Sequence, residues 1–512
     1  MQSANNIFFT AFLFLRAKLR ILFWNSNNYV YFCIWVMENL KEKTAKGLLW
    51  GAVNNGTMQV LNLLIGIVLG RLLSPEEYGI VGVLAIFTAV AGALQAGGFT
   101  QGLVNLKSPT SKDYNSVFWF NISVSLILYS VLFICAPLIA AFFHQPSLVA
   151  VSRVIFLCLP ISSLGITTNG YMIKNMMNRE IAITNFTALV LSGMAGILLA
   201  FNGFSYWSLV WQQLLYIIVT NILRFHYVRW RPKLQIDFAP VKGMFRFCVK
   251  LLITNIINTL NQHLLTFIFG RLFPISAVGN FSQASKWNLM ASSTISGTIG
   301  QVAQPVLVSI QDERDREIRV FRKLMRFTAF LTFPIMFGLS LVSKELLLVT
   351  IGDQWAESAI LLQILCIGGA FLPFYVIYQN LAISNGKSNI YMWCNIGQIL
   401  IQLAIILILY PRGILSVVWA YSIFSILWLF TWQIVAHRLI GLRAFDVVKD
   451  VVPFLLVSAT VMMITYLLTR NVHNPHMLLL SRILIAPFIY LSIMKLARAK
   501  VMDECVRFIF HK

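Results

Sequence analysis

Long apolar runs, from which acidic residues are almost absent, dominate this chain. The runs follow one another from residue 47 to residue 496, and Lys and Arg concentrate in the short connections between them. About 20 apolar residues are enough for a helix to cross a bilayer, where only helices and closed barrels satisfy their backbone hydrogen bonds. The pattern therefore predicts an all-α, polytopic membrane protein.

Composition supports this class. The chain of 512 residues is 58% hydrophobic and only 11% charged, whereas about a quarter of the residues in a soluble domain are charged. The net charge of +22 does not indicate a nucleic-acid partner, because the basic residues lie in short loops and form no single patch. The seven Cys residues lack the spacing of a metal or redox site, and the sequence contains no nucleotide or cofactor motif.

The apolar runs predict fourteen spans with both ends in the cytoplasm. Lys and Arg number 29 in the connections on one side and 6 on the other, and the basic side of a membrane protein faces the cytoplasm. The predicted spans are 47–73, 78–103, 116–143, 148–170, 181–201, 206–226, 247–272, 278–303, 327–350, 356–383, 390–409, 414–437, 451–469 and 478–496.

An internal repeat divides the spans into two halves. Residues 70–72 (Gly-Arg-Leu) recur at 270–272, and Gly79 recurs as Gly279, at the same offset of 200 residues. Transporters are often built from two such units, with the substrate path between them. The predicted parts are an extension (1–36), a first lobe (37–240), a second lobe (241–440), and a final pair of spans with a tail (441–512).

The segment before the first span fits neither a span nor a cleavable signal peptide. Basic residues separate its two short apolar runs, in the wrong order for a signal sequence. We consider two explanations: translation starts at Met37, or the segment is an interfacial anchor.

Polar side chains form stripes along three predicted spans. Asn55, Gln59 and Asn62 share one face of the first span, and Asn255, Asn258 and Gln262 share one face of the corresponding span of the second half. Such stripes either make interhelical hydrogen bonds or line a watery cavity, and matching stripes in both halves favour a shared cavity. The eleventh span carries a third stripe, Asn395, Gln398 and Gln402.

Two cations lie inside predicted spans, Arg153 in the fourth and Lys286 in the eighth. A basic residue at the centre of a span costs roughly 2.5–3.5 kcal/mol on insertion scales, and we expect no acidic residue in a span to neutralise either. Each lines a cavity or extends along its stem to the outer surface. Arg71 and Arg271 lie at outer span ends, where they anchor the interface or bind substrate. A cavity of amides and cations suits an anionic substrate with many hydroxyl groups.

Several motifs, taken in order, carry a resemblance to a known family. They are residues 70–79 (Gly-Arg-Leu-Leu-Ser-Pro-Glu-Glu-Tyr-Gly) after a span bearing Trp50, residues 230–233 (Trp-Arg-Pro-Lys), 311–314 (Gln-Asp-Glu-Arg) and 352–355 (Gly-Asp-Gln-Trp). Over about residues 38–440 the chain resembles the polysaccharide flippases of the multidrug/oligosaccharidyl-lipid/polysaccharide exporter superfamily. The resemblance is clearest to the lipopolysaccharide and teichuronic acid exporters.

The resemblance implies a V-shaped bundle of two six-helix lobes around a central cavity, with two further C-terminal helices. It implies a bacterial inner-membrane protein, not an enzyme, that moves undecaprenyl-pyrophosphate-linked oligosaccharide from the inner to the outer leaflet by alternating access. A polysaccharide polymerase is a candidate partner, and no cofactor is implied. The candidate substrate-binding residues are Arg153, Lys286, Asn55, Gln59, Asn62, Asn258, Gln262, Gln283, Arg71 and Arg271.

Two other function classes fit less well. A drug/cation antiporter of the same superfamily is the alternative, but it requires a carboxylate in the first or seventh span. Gln262 stands where relatives often carry an acidic residue, and Ala96 is a similar departure in the second span. A membrane polymerase or glycosyltransferase requires a large loop with clustered charges, and the connections here are short.

Overall fold

The computed structural model describes residues 50, 54–233, 237–311, 313–497 and 501–502. The predicted extension 1–36 and the start at Met37 lie outside these ranges. The described chain is almost entirely helical and contains no strand. Its α-helices are α1 (54–72), α2 (Pro75–Gly82), α3 (Ala85–Ala96), α4 (Phe99–Asn105), α5 (Ser111–Phe143), α6 (Leu148–Ile155), α7 (Cys158–Lys174), α8 (Asn178–Phe201), α9 (Trp207–Tyr227), α10 (Ala239–Leu272), α11 (Ile275–Ser309), α12 (Arg314–Ile351), α13 (Ala356–Gly369), α14 (Leu372–Ser384), α15 (Ser388–Leu409), α16 (Ile414–Ile440), α17 (Ala444–Thr469) and α18 (Pro475–Leu496).

Ten helical segments in the described part of the chain are long and apolar enough to cross a membrane. The all-helical, multi-pass class predicted from the sequence is therefore confirmed, whereas the number of fourteen spans remains a prediction. Helices α1, α9, α10 and α11 are not among the ten, because polar residues interrupt them. Three of these four, α1, α9 and α11, line the cavity described below.

The motif at residues 70–79 sets the turn between α1 and α2. Ser74 is the N-cap of α2 and forms a capping box with Glu77, whose Oε2 accepts a hydrogen bond of 2.6 Å from the Ser74 backbone N–H. Pro75 occupies the first turn, where its missing N–H costs nothing. The chain therefore reverses within a few residues. We call the end of the bundle where Gly70 and Gly270 lie the Gly70 end.

The segment Pro75–Asn105 is broken between α3 and α4 by two glycines. Gly97 and Gly98 have φ angles of 51° and 76°, in the left-handed region that favours glycine. Gly98 also lies against α10, since a methyl group built there would be 3.1 Å from the Cys248 carbonyl oxygen. The break thus combines a turn with close packing between this segment and α10.

The two C-terminal helices are attached to α12 by charged groups. Arg322 of α12 donates to both carboxylate oxygens of Asp450 on α17, at 2.6 and 3.2 Å. Arg482 of α18 pairs with Glu345 of α12 at 2.8 Å, and both side chains are largely buried. Glu345 is an acidic residue within a span, but its partner is Arg482 and neither of the cations predicted to lie in spans.

Candidate functional site

A cavity of about 500 Å³ lies between α1, α2, α8, α9 and α11, with the start of α3 also in its wall. Its size falls within the range of about 300–1,000 Å³ that is typical of ligand pockets. Among the lining residues that the structure describes, Lys286 alone carries a charge. The polar residues around it are Asn62, Ser192, Gln212, Gln213, Ser282 and Gln283, together with the phenols of Tyr78 and Tyr216.

Lys286 extends from α11 towards α1. A methyl group built on Gly66 of α1 would lie 3.0 Å from the Lys286 Nζ atom, so the missing side chain at Gly66 makes room for the amine. No ion pair within the described ranges involves Lys286. As far as the chain is described, the cavity therefore holds one cation without a protein counter-charge, which an anionic group on a ligand would neutralise.

Amide side chains surround this cation. Gln283 lies one turn before Lys286, is 1% exposed, and its Oε1 accepts no hydrogen bond from the described protein. Asn62 faces the cavity from α1, and its Nδ2 donates to the Met58 carbonyl oxygen at 2.8 Å. Amides offer both donors and acceptors, so the lining matches the hydroxyl groups of a sugar.

The structure brings together three of the ten predicted site residues, Asn62, Gln283 and Lys286, in this cavity. Asn55, Gln59 and Gln262 are not among its lining residues. The sequence reasoning missed the contribution of α9, where Gln212, Gln213 and Tyr216 interrupt an apolar helix. The signal was present, because an amide pair followed four residues later by a phenol marks one polar face.

Asn258 lies in a different polar contact, between α10 and α15. Its Oδ1 accepts a hydrogen bond of 2.8 Å from the Tyr391 hydroxyl and a longer one, 3.5 Å, from Asn395. Asn395, Gln398 and Gln402 are all at most 5% exposed. The contacts of Asn258 and Asn395 are those of the interhelical hydrogen-bonding alternative, within the second lobe.

Arg153 lies away from the cavity. Its guanidinium carbon is 4.5 Å from the centre of the Phe133 ring on α5, a cation–π contact. Its Nε atom is buried without a hydrogen-bond acceptor in the described protein. Arg153 and Lys286 are therefore not parts of one cluster.

Arg71 and Arg271 connect the two predicted lobes, 37–240 and 241–440, at the Gly70 end. Arg71, at the end of α1, donates to the carbonyl oxygens of Thr350 and Val349 at 2.5 and 2.6 Å. Arg271, at the end of α10, donates to the Phe142 carbonyl oxygen at 2.6 Å. Each arginine thus caps the C-terminal end of a helix in the opposite lobe, α12 or α5, where carbonyl groups lack partners and cations are favoured.

Further contacts hold the same end closed. Trp355 Nε1 and Gln354 Nε2 both donate to the Gly70 carbonyl oxygen, at 2.7 and 2.9 Å. A methyl group built on Gly279 of α11 would lie 1.7 Å from the Pro75 carbonyl oxygen. One built on Gly79 of α2 would lie 2.0 Å from the corresponding oxygen of Ile275. The glycines that repeat in sequence are therefore the positions where α2 and α11 meet backbone to backbone.

The geometry suits binding and movement of a polar ligand. No group of three or more His, Cys, Asp or Glu residues that could hold a metal ion is found in the part of the chain that the structure describes. The cavity offers one cation and several amides. The contacts described above hold the helices together at the Gly70 end.

The family described as "Polysaccharide biosynthesis protein" matches residues 68–360. The chain belongs to this family. It is 24% identical over 338 residues, 65% of this chain and 68% of the relative, to the lipopolysaccharide biosynthesis protein WzxC of Escherichia coli strain K12. It is 21% identical over 390 residues, 75% of this chain and 80% of the relative, to the teichuronic acid biosynthesis protein TuaB of Bacillus subtilis strain 168.

Among solved structures, the chain is similar to the lipid II flippase MurJ in an inward closed conformation. The TM-score is 0.71 at 16% identity, and the match covers 89% of this chain and all of that one. This likeness shows the fold. The resemblance to the polysaccharide flippases of the exporter superfamily, stated from the sequence motifs, is therefore confirmed, and the protein is a multi-pass membrane protein.

Proposed function

We propose that this protein moves an undecaprenyl-pyrophosphate-linked oligosaccharide from the inner to the outer leaflet of the bacterial inner membrane, for the synthesis of a surface polysaccharide. The observation that carries this proposal is Lys286, a cation that has no ion pair with any residue the structure describes, in a cavity lined otherwise by amides, hydroxyls and apolar groups. The names of the relatives, which include a lipopolysaccharide and a teichuronic acid biosynthesis protein, support the same substrate class.

The cavity residues divide the work between charge and hydrogen bonding. The Lys286 amine attracts the phosphate groups of the headgroup, and the amides of Asn62, Gln212 and Gln283 hydrogen-bond to the sugars. The lipid tail stays in the bilayer, because the transfer of a long hydrocarbon chain from the bilayer into a polar cavity raises the free energy. Only the polar headgroup therefore needs a protein path.

Alternating access requires one end of the path to be closed at a time. The contacts of Arg71, Arg271 and Trp355 close the Gly70 end, and we assign this end to the outer face with both chain termini in the cytoplasm. Release to the outer leaflet then requires these inter-lobe contacts to break as the two lobes, 37–240 and 241–440, rock apart. Arg71 and Arg271 therefore act in opening and closing the Gly70 end, and the residues of the cavity bind the substrate.

The antiporter alternative receives no support from the cavity. Such an exporter needs a carboxylate to bind a proton or a metal cation, and the described lining contains no Asp or Glu. A cation in the cavity also repels the positively charged drugs that such a protein would carry.

The test is export in cells that lack the chromosomal gene and carry variants of Lys286. We expect Lys286→Gln to abolish most surface polysaccharide and to trap lipid-linked oligosaccharide on the cytoplasmic face, and Lys286→Arg to keep a substantial part of the export. Arg153→Gln is the matched control, because Arg153 is a cation in a span that lies outside the cavity. Equal loss for Arg153→Gln and Lys286→Gln, at normal protein levels, would contradict the assignment.

A further inference from the structure

A second polar cavity lies at the Gly70 end, outside the space between the lobes. Its volume is about 650 Å³, and it is enclosed by α12, α13, α16, α17 and α18. It differs from the first cavity in its charge, because it contains Lys344, Glu345, Arg470 and Arg482. None of these residues takes part in the proposed transport path.

One cation of this cavity is already neutralised. Arg482 is 6% exposed and donates to Glu345 Oε2 at 2.8 Å, to the Leu341 carbonyl oxygen at 3.0 Å and to Thr469 Oγ1 at 3.2 Å. Glu345 is thereby paired with Arg482, and the pair contributes no net charge. Such a fixed pair forms one wall of the cavity and holds α12 and α18 together.

Two further cations line this cavity. Lys344 and Arg470 are both exposed, and neither makes a hydrogen bond or an ion pair in the described part of the chain. With the Glu345–Arg482 pair neutral, they leave the cavity with two positive charges. Two like charges in one concavity at the boundary of a membrane are stabilised when an anion lies between them.

The remaining walls indicate an anion that carries an apolar chain. Trp419 and Tyr466 are 44% and 50% exposed and line the cavity, and such rings favour the headgroup level of a bilayer. An apolar groove of about 490 Å³ between α12 and α18 shares Leu341 and Arg482 with the cavity. A polar pocket thus adjoins an apolar groove, which a soluble anion would leave uncovered.

We propose that this cavity binds the phosphate headgroup of a membrane lipid, with Lys344 and Arg470 as its charged partners and Trp419 and Tyr466 at its rim. The proposal rests on the membrane location of the chain and not on the proposed transport function. The headgroup could belong to an anionic phospholipid or to an isoprenyl phosphate, because both present the same phosphate chemistry to the two cations.

The experiment is a titration of the full-length protein, purified in a neutral detergent, followed by native mass spectrometry. The probes are dioctanoyl phosphatidylglycerol, undecaprenyl phosphate, and dioctanoyl phosphatidylcholine as a lipid without net charge. The test variant is Lys344→Gln/Arg470→Gln. The matched control is Arg412→Gln, which removes an exposed cation at the same end, outside the cavity. Thermal unfolding of each variant without lipid checks that the fold is retained.

We expect at least one anionic probe to bind more tightly than phosphatidylcholine, and the double variant to weaken it by about tenfold or more. Loss confined to phosphatidylglycerol identifies a phospholipid site, and loss confined to undecaprenyl phosphate identifies an isoprenyl phosphate site. Equal binding of all three probes would overturn the proposal. So would a loss for Arg412→Gln as large as that for the double variant.

Discussion

Lys286 owes its position in the cavity to the missing side chain of Gly66 on the facing helix. The amine is the flexible end of a long side chain, so a methyl group at Gly66 would displace it without breaking the packing of α1 on α11. The placement of the charge and the stability of the fold can therefore be separated by a single substitution.

We expect Gly66→Ala to reduce export while leaving the protein folded, because the Cβ atom would lie 3.0 Å from the Lys286 Nζ atom. The measure is surface polysaccharide at equal protein level in the membrane. Gly56→Ala is the control in the same helix, since a Cβ atom there meets nothing within 4 Å. Alanine is favoured over glycine in a helix by about 1 kcal/mol, so both variants should be at least as stable as the parent, and only the first should lose export. Equal export by the two would argue against a role for the position of the amine.

The residue type, but not the surroundings, of the central cation could be predicted from the sequence. Both Lys286 and Arg153 were exceptional because a charge in a span is costly. The structure shows Lys286 in a polar cavity and Arg153 against the Phe133 ring. Which of them faces the cavity depends on how α6 and α11 are rotated against their neighbours. A single sequence contains little information on that rotation.

At the scale of elements, the ends of four helices form a reciprocal contact between the lobes. The end of α1 binds the end of α12 through Arg71, and the end of α10 binds the end of α5 through Arg271. The two arginines are related by the offset of 200 residues seen in the sequence. The repeat was visible from residues 70–72 and 270–272, but the acceptors are backbone carbonyls, which no sequence pattern marks.

We expect Arg71→Gln and Arg271→Gln to loosen the Gly70 end, and the double variant to loosen it further. Each removes hydrogen bonds from a charged donor, and an exposed contact of this kind contributes about 1 kcal/mol, roughly a fivefold change in an equilibrium. The measurement is labelling of a single cysteine at position 282 by an impermeant maleimide added outside intact cells, in a chain whose native Cys residues are replaced. Arg412→Gln, a cation at the same end without a contact to the other lobe, should leave the labelling unchanged. Unchanged labelling in the double variant would show that the arginines do not hold this end.

The glycine contact between α2 and α11 tolerates less change than the arginine contacts, because two backbones meet there. Gly279→Ala places a Cβ atom 1.7 Å from the Pro75 carbonyl oxygen, and backbone cannot move aside as a side chain does. Overpacking costs typically about 1–3 kcal/mol, so we expect the closed end to open and labelling at position 282 to rise from outside. Gly92→Ala serves for comparison, because a Cβ atom there meets nothing within 4 Å. Labelling that stayed at the parent's level for Gly279→Ala would show that the two helices separate freely.

At the scale of the whole molecule, α17 and α18 form an addition fixed to α12 by buried charges. The apolar runs predicted their existence, and the offset of 200 residues placed them outside the repeat. Their attachment could not be predicted, because Asp450 and Glu345 acquire partners more than a hundred residues away. The sequence predicted no acidic residue in a span that neutralises Arg153 or Lys286. Glu345, which lies in the predicted span 327–350, is neutralised by Arg482 instead.

We expect Arg322→Gln to destabilise the protein, because Asp450 is 7% exposed and would lose its closest cation. Removing one partner of a buried ion pair costs about 3–5 kcal/mol, and Arg326 at 3.8 Å would reduce that loss. Arg322→Gln/Asp450→Asn should recover part of the stability, since the buried side chain at position 450 no longer carries a charge. Asp446 and Arg326 each lose a partner in this variant, but both are partly exposed to solvent. Thermal unfolding in detergent measures both. A double variant as unstable as the sum of the two single variants would show that the pair is not the source of the effect.

The protein combines a cavity that holds one cation with a bundle of two predicted lobes that contact each other at the Gly70 end. The most direct test is transfer of lipid-linked oligosaccharide across the bilayer of liposomes that contain only the purified protein. An impermeant glycosidase added outside measures how much glycan has reached the outer leaflet. We predict transfer well above protein-free liposomes, reduced about tenfold or more by Lys286→Gln and unchanged by Arg153→Gln. Transfer no faster than in protein-free liposomes, or as fast with Lys286→Gln as with the parent, would contradict the central claim.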